Sequence, residues 1–249
     1  MGCGTSSGVP RIGNDWGTCD PAEPRNRRTR GALLIETESA RVLVDTGPDM
    51  REQLLAAGVA TVDAVIWTHD HADHVNGIDD LRQLFHAAGE PVRGLARPDT
   101  LATLQTRFGY VFEGRHGYPA TVAAEQLPDR LSVGDIEIDI VDQPHGSILS
   151  VGLRFRVGGR TIVYATDFNE MTNEMRALYK GCDLWIVDAL RRRPHPTHPS
   201  VDQVLVWVSD LRPGRAVLVH MDQSMDYQEL CKTLPSGVEP AYDGWEQRW

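Results

Sequence analysis

The sequence predicts an α/β fold in which two mixed β-sheets pack face to face with helices on their outer faces. Two features point to it. Short apolar runs separated by turn residues fill the early part of the chain, and similar runs alternate with helical patterns later. The length of 249 residues suits one large domain, and residues 1–249 are expected to form a single one.

Residues 1–24 are rich in Gly, Pro, Ser and Thr and read as loops. Ala32–Thr37 and Arg41–Val44 form a predicted strand pair across Glu38-Ser39-Ala40. Asp63–Thr68 is nearly all apolar, like a strand buried on both faces. Ile136–Asp142 alternates Ile with acidic residues, the period of a half-buried strand. Ser150–Val157 and Thr161–Thr166 make a hairpin across Gly158-Gly159, and Asp183–Asp188 and Ala216–Val219 add further strands. Helical spacing fits Met50–Ala57, Ile78–Phe85, Thr100–Phe108, Glu170–Tyr179, Val201–Leu211 and Asp226–Leu234. Asp99 and Ser200 are the expected N-caps of the third and fifth of these helices.

Apolar residues make up 41% of the chain and charged residues 24%, so a sizeable core is expected. The net charge of −10 disfavours sequence-independent nucleic-acid binding, which relies on Lys and Arg neutralising phosphates. Bound divalent cations would offset part of that charge near a site. The four cysteines, Cys3, Cys19, Cys182 and Cys231, are scattered and form no CxxC pair. A reducing cytosol explains them more simply than a disulfide framework does. No apolar run approaches the ~18 residues of a membrane span. The start shows no basic segment followed by an apolar one. A cytoplasmic location is therefore expected.

Chemistry concentrates in Thr68-His69-Asp70-His71-Ala72-Asp73-His74, directly after the apolar strand. His69 and His71 are two apart and face the same way on an extended stretch. Asp73 and His74 are adjacent and can aim at a second point from a turn, with Gly77 permitting the tight turn into the next helix. The segment thus offers a ligand pair to each of two nearby ions. A solvated polar loop is the plain alternative, but three of the chain's nine histidines stand within the six positions from His69 to His74.

His-x-His-x-Asp-His after an apolar strand resembles the metal-binding signature of the metallo-β-lactamase superfamily, whose fold is a four-layer αββα sandwich. The rest of that pattern occurs in order. Asp45 in Leu43-Val44-Asp45-Thr46-Gly47, His145 in Gln143-Pro144-His145-Gly146, Asp167 in Tyr164-Ala165-Thr166-Asp167 and His220 in Val217-Leu218-Val219-His220 each end a predicted strand. Taken singly, His145 or His220 would read as a partly buried core histidine; order and strand-end placement argue otherwise. By the resemblance, one ion takes His69, His71, His145 and Asp167, and the other takes Asp73, His74, His220 and Asp167. Asp45 is implied to be catalytic in a supporting sense, orienting a ligand histidine or the water between the ions. The ligand types suit two divalent ions, Zn²⁺ or Mn²⁺, with iron also compatible.

Three further stretches resemble the PhnP-type phosphodiesterases, whose named member opens phosphoribosyl 1,2-cyclic phosphate. These are Gly2-Cys3-Gly4-Thr5-Ser6-Ser7-Gly8-Val9-Pro10, Pro24-Arg25-Asn26-Arg27-Arg28-Thr29-Arg30, and His195-Pro196-Thr197-His198-Pro199-Ser200 followed by His220-Met221-Asp222. The Gly-rich start also matches an N-myristoylation pattern, but the family accounts for its glycines better. The resemblance implies that His198 is a catalytic histidine outside the metal shell, with His195 as the alternative. Many members of that branch hold a structural zinc through clustered cysteines and a late histidine. Here a single Cys19 and Gln223 occupy those places, so a third metal is expected to be absent. The chain begins at the Gly-rich turn, so the branch's usual first strand is expected to be missing or shortened. Arg25–Arg30 could receive a substrate phosphate or simply form a solvated strand entry.

The expected function is metal-dependent hydrolysis, with a hydroxide between the ions attacking a small cyclic phosphate or nucleotide-like diester. The alternatives are thioester hydrolysis of the glyoxalase-II type or lactam hydrolysis, a transfer-RNA 3′-processing nuclease, and a metal-binding protein without turnover. The expected partner is a small phosphate ester. No membrane and no nucleic acid beyond nucleotides are expected, and a homodimer is left open.

Overall fold

The computed structural model describes residues 1–249. Its first sheet has five strands in the order β1 (Leu33–Glu36), β2 (Arg41–Val44), β3 (Ala64–Ile66), β4 (Val92–Ala96) and β5 (Val122–Gln126). Only the β1–β2 pair is antiparallel. Helix α1 (Met50–Ala57) connects β2 to β3, and α2 (Ala72–Val75) and α3 (Leu81–Ala88) connect β3 to β4. Helix α4 (Pro98–Glu113) then leads to β5.

The second sheet has seven strands. β6 (Arg130–Val133), β7 (Ile136–His145), β8 (Ile148–Val157) and β9 (Arg160–Ala165) form an antiparallel meander. β10 (Leu184–Asp188), β11 (Arg215–Val219) and β12 (Val238–Pro240) extend it in parallel, reached through α5 (Asn173–Tyr179), α6 (Val201–Leu211) and α7 (Tyr227–Thr233). This is the expected four-layer sandwich of two mixed sheets flanked by helices.

Side-chain alternation builds the layers. On β2, Val42 and Val44 enter a core of 44 buried residues shared with the second sheet, while Leu43 points the other way. Leu43 joins a separate cluster of 15 with Met50 and Leu54 of α1, Leu81 and Leu84 of α3, and Leu101 and Leu104 of α4. On the second sheet, Trp207 of α6 stacks on Phe168 with ring centroids 5.3 Å apart. No helix is long and apolar enough to cross a membrane.

Most predicted elements appear within a few residues of their expected ends. Ser200 caps α6 in a full capping box with Gln203. Asp226 precedes α7 and accepts from Glu229 N at 2.9 Å. Asp99 is not an N-cap, because Pro98 begins α4 one residue earlier and places Asp99 inside the first turn. The expected Ile78–Phe85 helix divides into a 3₁₀ turn, Ile78–Asp80, and α3. β7 continues past Asp142 to His145, through Pro144. Pro144 is tolerated because β6 pairs only as far as Asp139, so no partner strand on that side needs its missing N–H.

Gly77 serves the turn for a different reason from the expected one. Its φ is −90°, which any residue adopts. What excludes a side chain is proximity: a Cβ there would lie 2.2 Å from Gly47 O and 3.0 Å from Thr46 O. Gly77 N in turn donates to Thr46 O at 2.7 Å, which locks the segment after β2 against the end of α2. Gly77→Ala should therefore destabilise the metal-free protein by roughly 1–3 kcal/mol, read as a lower urea midpoint with an unchanged slope.

Candidate metal centre

β7, β9, β10 and β11 run in the same direction, since β8 reverses between β7 and β9. Their C-terminal ends carry His145, Asp167, Asp188 and His220 at one edge of the sheet. β2 and β3 bring Asp45 and His69 to the same place from the other sheet. Val151 N of β8 donates to Thr68 O at 3.1 Å and ties the two edges together. His71 is the extended N-cap of α2, and Asp73 and His74 lie on that helix.

Asp45, Asp167 and His220 leave their strands with φ of 66°, 55° and 59°. This left-handed region costs an ordinary residue roughly 1–2 kcal/mol, but Asp and His visit it more readily than most. In each case the strand turns sharply at the residue whose side chain enters the site.

The side chains gather into three overlapping groups: His69, His71, His145 and Asp167; Asp73, His74 and His220; and Asp167, His198 and His220. In the first, His145 Nε2 lies 3.3 Å from His71 Nδ1, and Asp167 Oδ1 lies 3.8 Å from His69 Nε2 and 3.6 Å from His145 Nε2. In the second, Asp73 Oδ2 lies 3.3 Å from His74 Nε2 and 3.5 Å from His220 Nε2. Asp167 Oδ2 is 3.2 Å from His74 Nε2 and 3.5 Å from His220 Nε2, so this carboxylate presents one oxygen to each group. Ligands at the usual zinc–nitrogen distance would stand about 3.3 Å apart around a tetrahedral ion, close to these spacings.

Three of the rings are held by their far sides. His74 Nδ1 donates to Asp45 Oδ2 at 2.7 Å, and His145 Nδ1 donates to Thr197 O at 2.9 Å. His69 Nδ1 is 3.0 Å from Thr68 Oγ1, whose hydroxyl donates to Asp45 Oδ2 at 2.9 Å. Protonation at Nδ1 leaves a lone pair on Nε2, the form a metal needs. The Nε2 atoms of His69, His74 and His220 are buried with no hydrogen-bond partner, an arrangement that a bound cation resolves.

The electrostatics agree. Burial and neighbouring imidazoles push His69 well below the usual histidine range. Burial opposes charge on His74 and His220 as well, but carboxylates overcome it. Asp167, Asp45 and Asp73 raise His74 well above its usual value, and Asp167, Asp73 and Asp188 raise His220 to about 9. Burial would raise Asp167, yet His220, His74 and His69 hold it well below the usual carboxylate range. The site is a negative field that attracts protons, and a divalent cation would displace them.

All seven expected ligands are therefore brought together. Asp45 is fully buried and touches His74 and Thr68, so its place is behind the ligands. His198 Nδ1 meets Asp188 Oδ2 at 2.7 Å while its Nε2 stands 3.9 Å from Asp167 Oδ1. His195 belongs to none of the three groups and engages its own loop, where Thr197 N donates to its Nδ1 at 3.3 Å. Cys19 is buried against the Arg28 guanidinium, 3.8 Å from Nη1, and Gln223 meets that loop through its backbone oxygen.

Sequence reasoning missed Asp188. Besides holding His198, its Oδ2 accepts from Asp167 N at 3.1 Å, and its Oδ1 lies 3.9 Å from His220 Nδ1. The available signal was an aspartate closing the wholly apolar run Leu184-Trp185-Ile186-Val187, as Asp167 and His220 close theirs.

Comparison with known proteins gives a consistent picture. Residues 40–221 match the family model of the beta-lactamase superfamily domain. A solved structure described as a new diphosphatase from the PhnP family is 31% identical, with a TM-score of 0.88 over 98% of this chain and 93% of its own. Zn²⁺-bound PqqB from Methylobacterium extorquens shares the fold at 19% identity and a TM-score of 0.80 over 98% of this chain and 97% of its own. An octanoyltransferase of Porphyromonas gingivalis is 33% identical over 99% of this chain and 50% of its own length. A ribonuclease Z of Bradyrhizobium diazoefficiens is 30% identical over 55% of this chain and 47% of its own. The chain thus spans about half the length of these curated relatives.

Removing Asp45 would leave His74 Nδ1 and Thr68 N buried without their shared acceptor. Asp45→Ala should weaken metal binding by about 10–100-fold, measured by competition with a chromophoric chelator. Unaltered affinity would show that the ring of His74 needs no such support.

Proposed function

The chain belongs to the beta-lactamase superfamily and, within it, to the PhnP family, and from that premise we propose that this metal-dependent hydrolase is a dinuclear phosphodiesterase. Its substrate would be a small cyclic phosphate or nucleotide-like diester. The observation that carries the reading is Asp167, whose two oxygens face two different ligand groups while His198 stands over one of them.

In this reading His69, His71, His145 and Asp167 hold one ion, and Asp73, His74, His220 and Asp167 hold the other. Zn²⁺ or Mn²⁺ suits these donors, and iron is also compatible. When bound, the ions would supply positive charge for phosphoryl oxygens and acidify a nearby water. The chain's own residues do the remaining work. Asp45 and Thr197 O keep His74 and His145 turned inward. Asp188 accepts from His198 Nδ1 and would stabilise the imidazolium form, whose Nε2–H would then protonate the departing alkoxide or donate to a phosphoryl oxygen. His198 is preferred to His195 because its Nε2 faces Asp167, whereas His195 faces its own loop.

The end-to-end structural relative described as a diphosphatase supports phosphoryl chemistry. Thioester hydrolysis is a second reading, and the match to an octanoyltransferase touches it only through acyl-group chemistry. That match accounts for only half of the relative's length, and so carries less.

Elemental analysis after reconstitution should approach two equivalents of metal per chain. Asp167→Ala should abolish turnover and loosen both ions, whereas Asp73→Ala should mainly weaken one. A stoichiometry that stays at one would overturn the dinuclear reading.

His198→Ala should keep its metal and lose kcat, by about 10²–10⁴-fold on a cyclic ribose phosphate with a poor alkoxide leaving group. The loss should be smaller on bis(p-nitrophenyl) phosphate, whose leaving group needs little protonation. Equal losses on both substrates would mean that His198 only binds phosphate. A larger, leaving-group-dependent loss in His195→Ala would move the role to that residue.

A further inference from the structure

Of the arginines in the basic stretch before β1, three are already engaged. Arg25 lies 4.9 Å over the Tyr227 ring, Arg27 lies 5.3 Å over the Trp16 ring, and Arg28 is buried with Nη2 donating to Met225 O at 2.6 Å. Arg30 differs. Its Nε lies 2.9 Å from Asp49 Oδ2 in an ion pair, its side chain remains 26% exposed, and none of its three guanidinium nitrogens makes a hydrogen bond.

Arg30 also stands at the rim of the candidate centre. A Cβ on Gly47 would lie 3.6 Å from Arg30 Cβ and 2.3 Å from Asp73 O. A Cβ on the adjacent Gly31 would lie 3.9 Å from His220 Cδ2. Arg30 therefore borders the group formed by Asp73, His74 and His220. Across from it runs the Gly-rich loop, where a Cβ on Gly8 would lie 3.5 Å from Arg30 Nη1. Ser6 and Ser7 are exposed at the tip of that loop.

Asp49 supplies the second observation. It is the N-cap residue of α1, yet its side chain makes no capping bond to the helix. The carboxylate instead accepts from Arg30 N at 2.9 Å and pairs ionically with the guanidinium, whose Nε lies 2.9 Å away. An aspartate at a helix start ordinarily caps it. One diverted to fix an arginine whose outer nitrogens stay free prepares that arginine for an anion.

We propose that Arg30, held by Asp49, is a phosphate clamp that fixes a phosphoryl group of the substrate beside the Asp73–His74–His220 group. The inference rests on the phosphodiesterase reading for its ligand class. The planar guanidinium fork matches two phosphoryl oxygens, and in a chain of net charge −10 a fixed local cation helps draw an anion to this edge.

The test titrates Mn²⁺-loaded protein with inorganic phosphate by calorimetry, with metal content measured on the same samples. Arg30→Gln should weaken phosphate binding by about tenfold or more. Arg30→Lys should lose less, because it keeps the charge without the fork. Asp49→Asn should also weaken binding while leaving Arg30 in place, which covers a failure of the arginine variants to fold. Metal content should be unchanged in all three. Unaltered phosphate affinity in Arg30→Gln, no phosphate binding by the wild type, or a loss that tracks lost metal would overturn the clamp. Arg30-dependent phosphate binding in a protein that cleaves no phosphate ester would uphold the clamp and reject the phosphodiesterase reading.

Discussion

Burial of the Asp167 carboxylate where the two sheets meet is the constraint on which the rest of the site depends. Only 2% of the residue is exposed, and a lone buried carboxylate would cost several kcal/mol. Compensation comes from the imidazoles around it: His74 and His220 on one oxygen, His69 and His145 on the other. Those rings must be neutral at Nε2 to ligate, so in the proposed reading bound metal would supply the lasting compensation. Asp45, Thr68 and Thr197 then follow as necessities, because an unanchored ligand ring could turn its lone pair away.

The backbone yields to the same constraint. Three strands leave the sheets through left-handed residues, Asp45, Asp167 and His220, at the points where their side chains enter the site. Gly77 gives up a side chain so that the loop after β2 can press on the end of α2. Asp49 gives up its helix cap to hold Arg30. Each departs from a local preference, and all border one edge of the sandwich. Such departures collect where a fold is built around a site rather than around its core.

Much of the architecture was legible because β2, β3, β9, β10 and β11 are buried strands with strong apolar runs. The strands that escaped notice lack that signal. β4 contains Arg93 and Gly94, β5 is an edge strand with four exposed residues, β6 has four residues, and β12 has three and ends in proline. β4, β5 and β12 owe their strand state to pairing with neighbours distant in sequence, which propensity does not register, whereas short β6 pairs only with adjacent β7 across Gly134-Asp135.

The sequence by itself determined the ligand inventory, because a run holding three histidines and two aspartates after an apolar strand has few other uses. The family resemblance added His145, Asp167 and His220 as candidates, with their strand-end placement as a check. Only the tertiary structure decided the roles around those ligands. It put Asp188 behind His198, Asp45 behind His74, and Arg30 rather than its basic neighbours at the rim. The reason is physical: a ligand's chemistry belongs to its residue type and local spacing, whereas a supporting contact depends on which atoms the folded sheets bring within hydrogen-bond reach, and Asp45 and His74 are 29 residues apart in the chain.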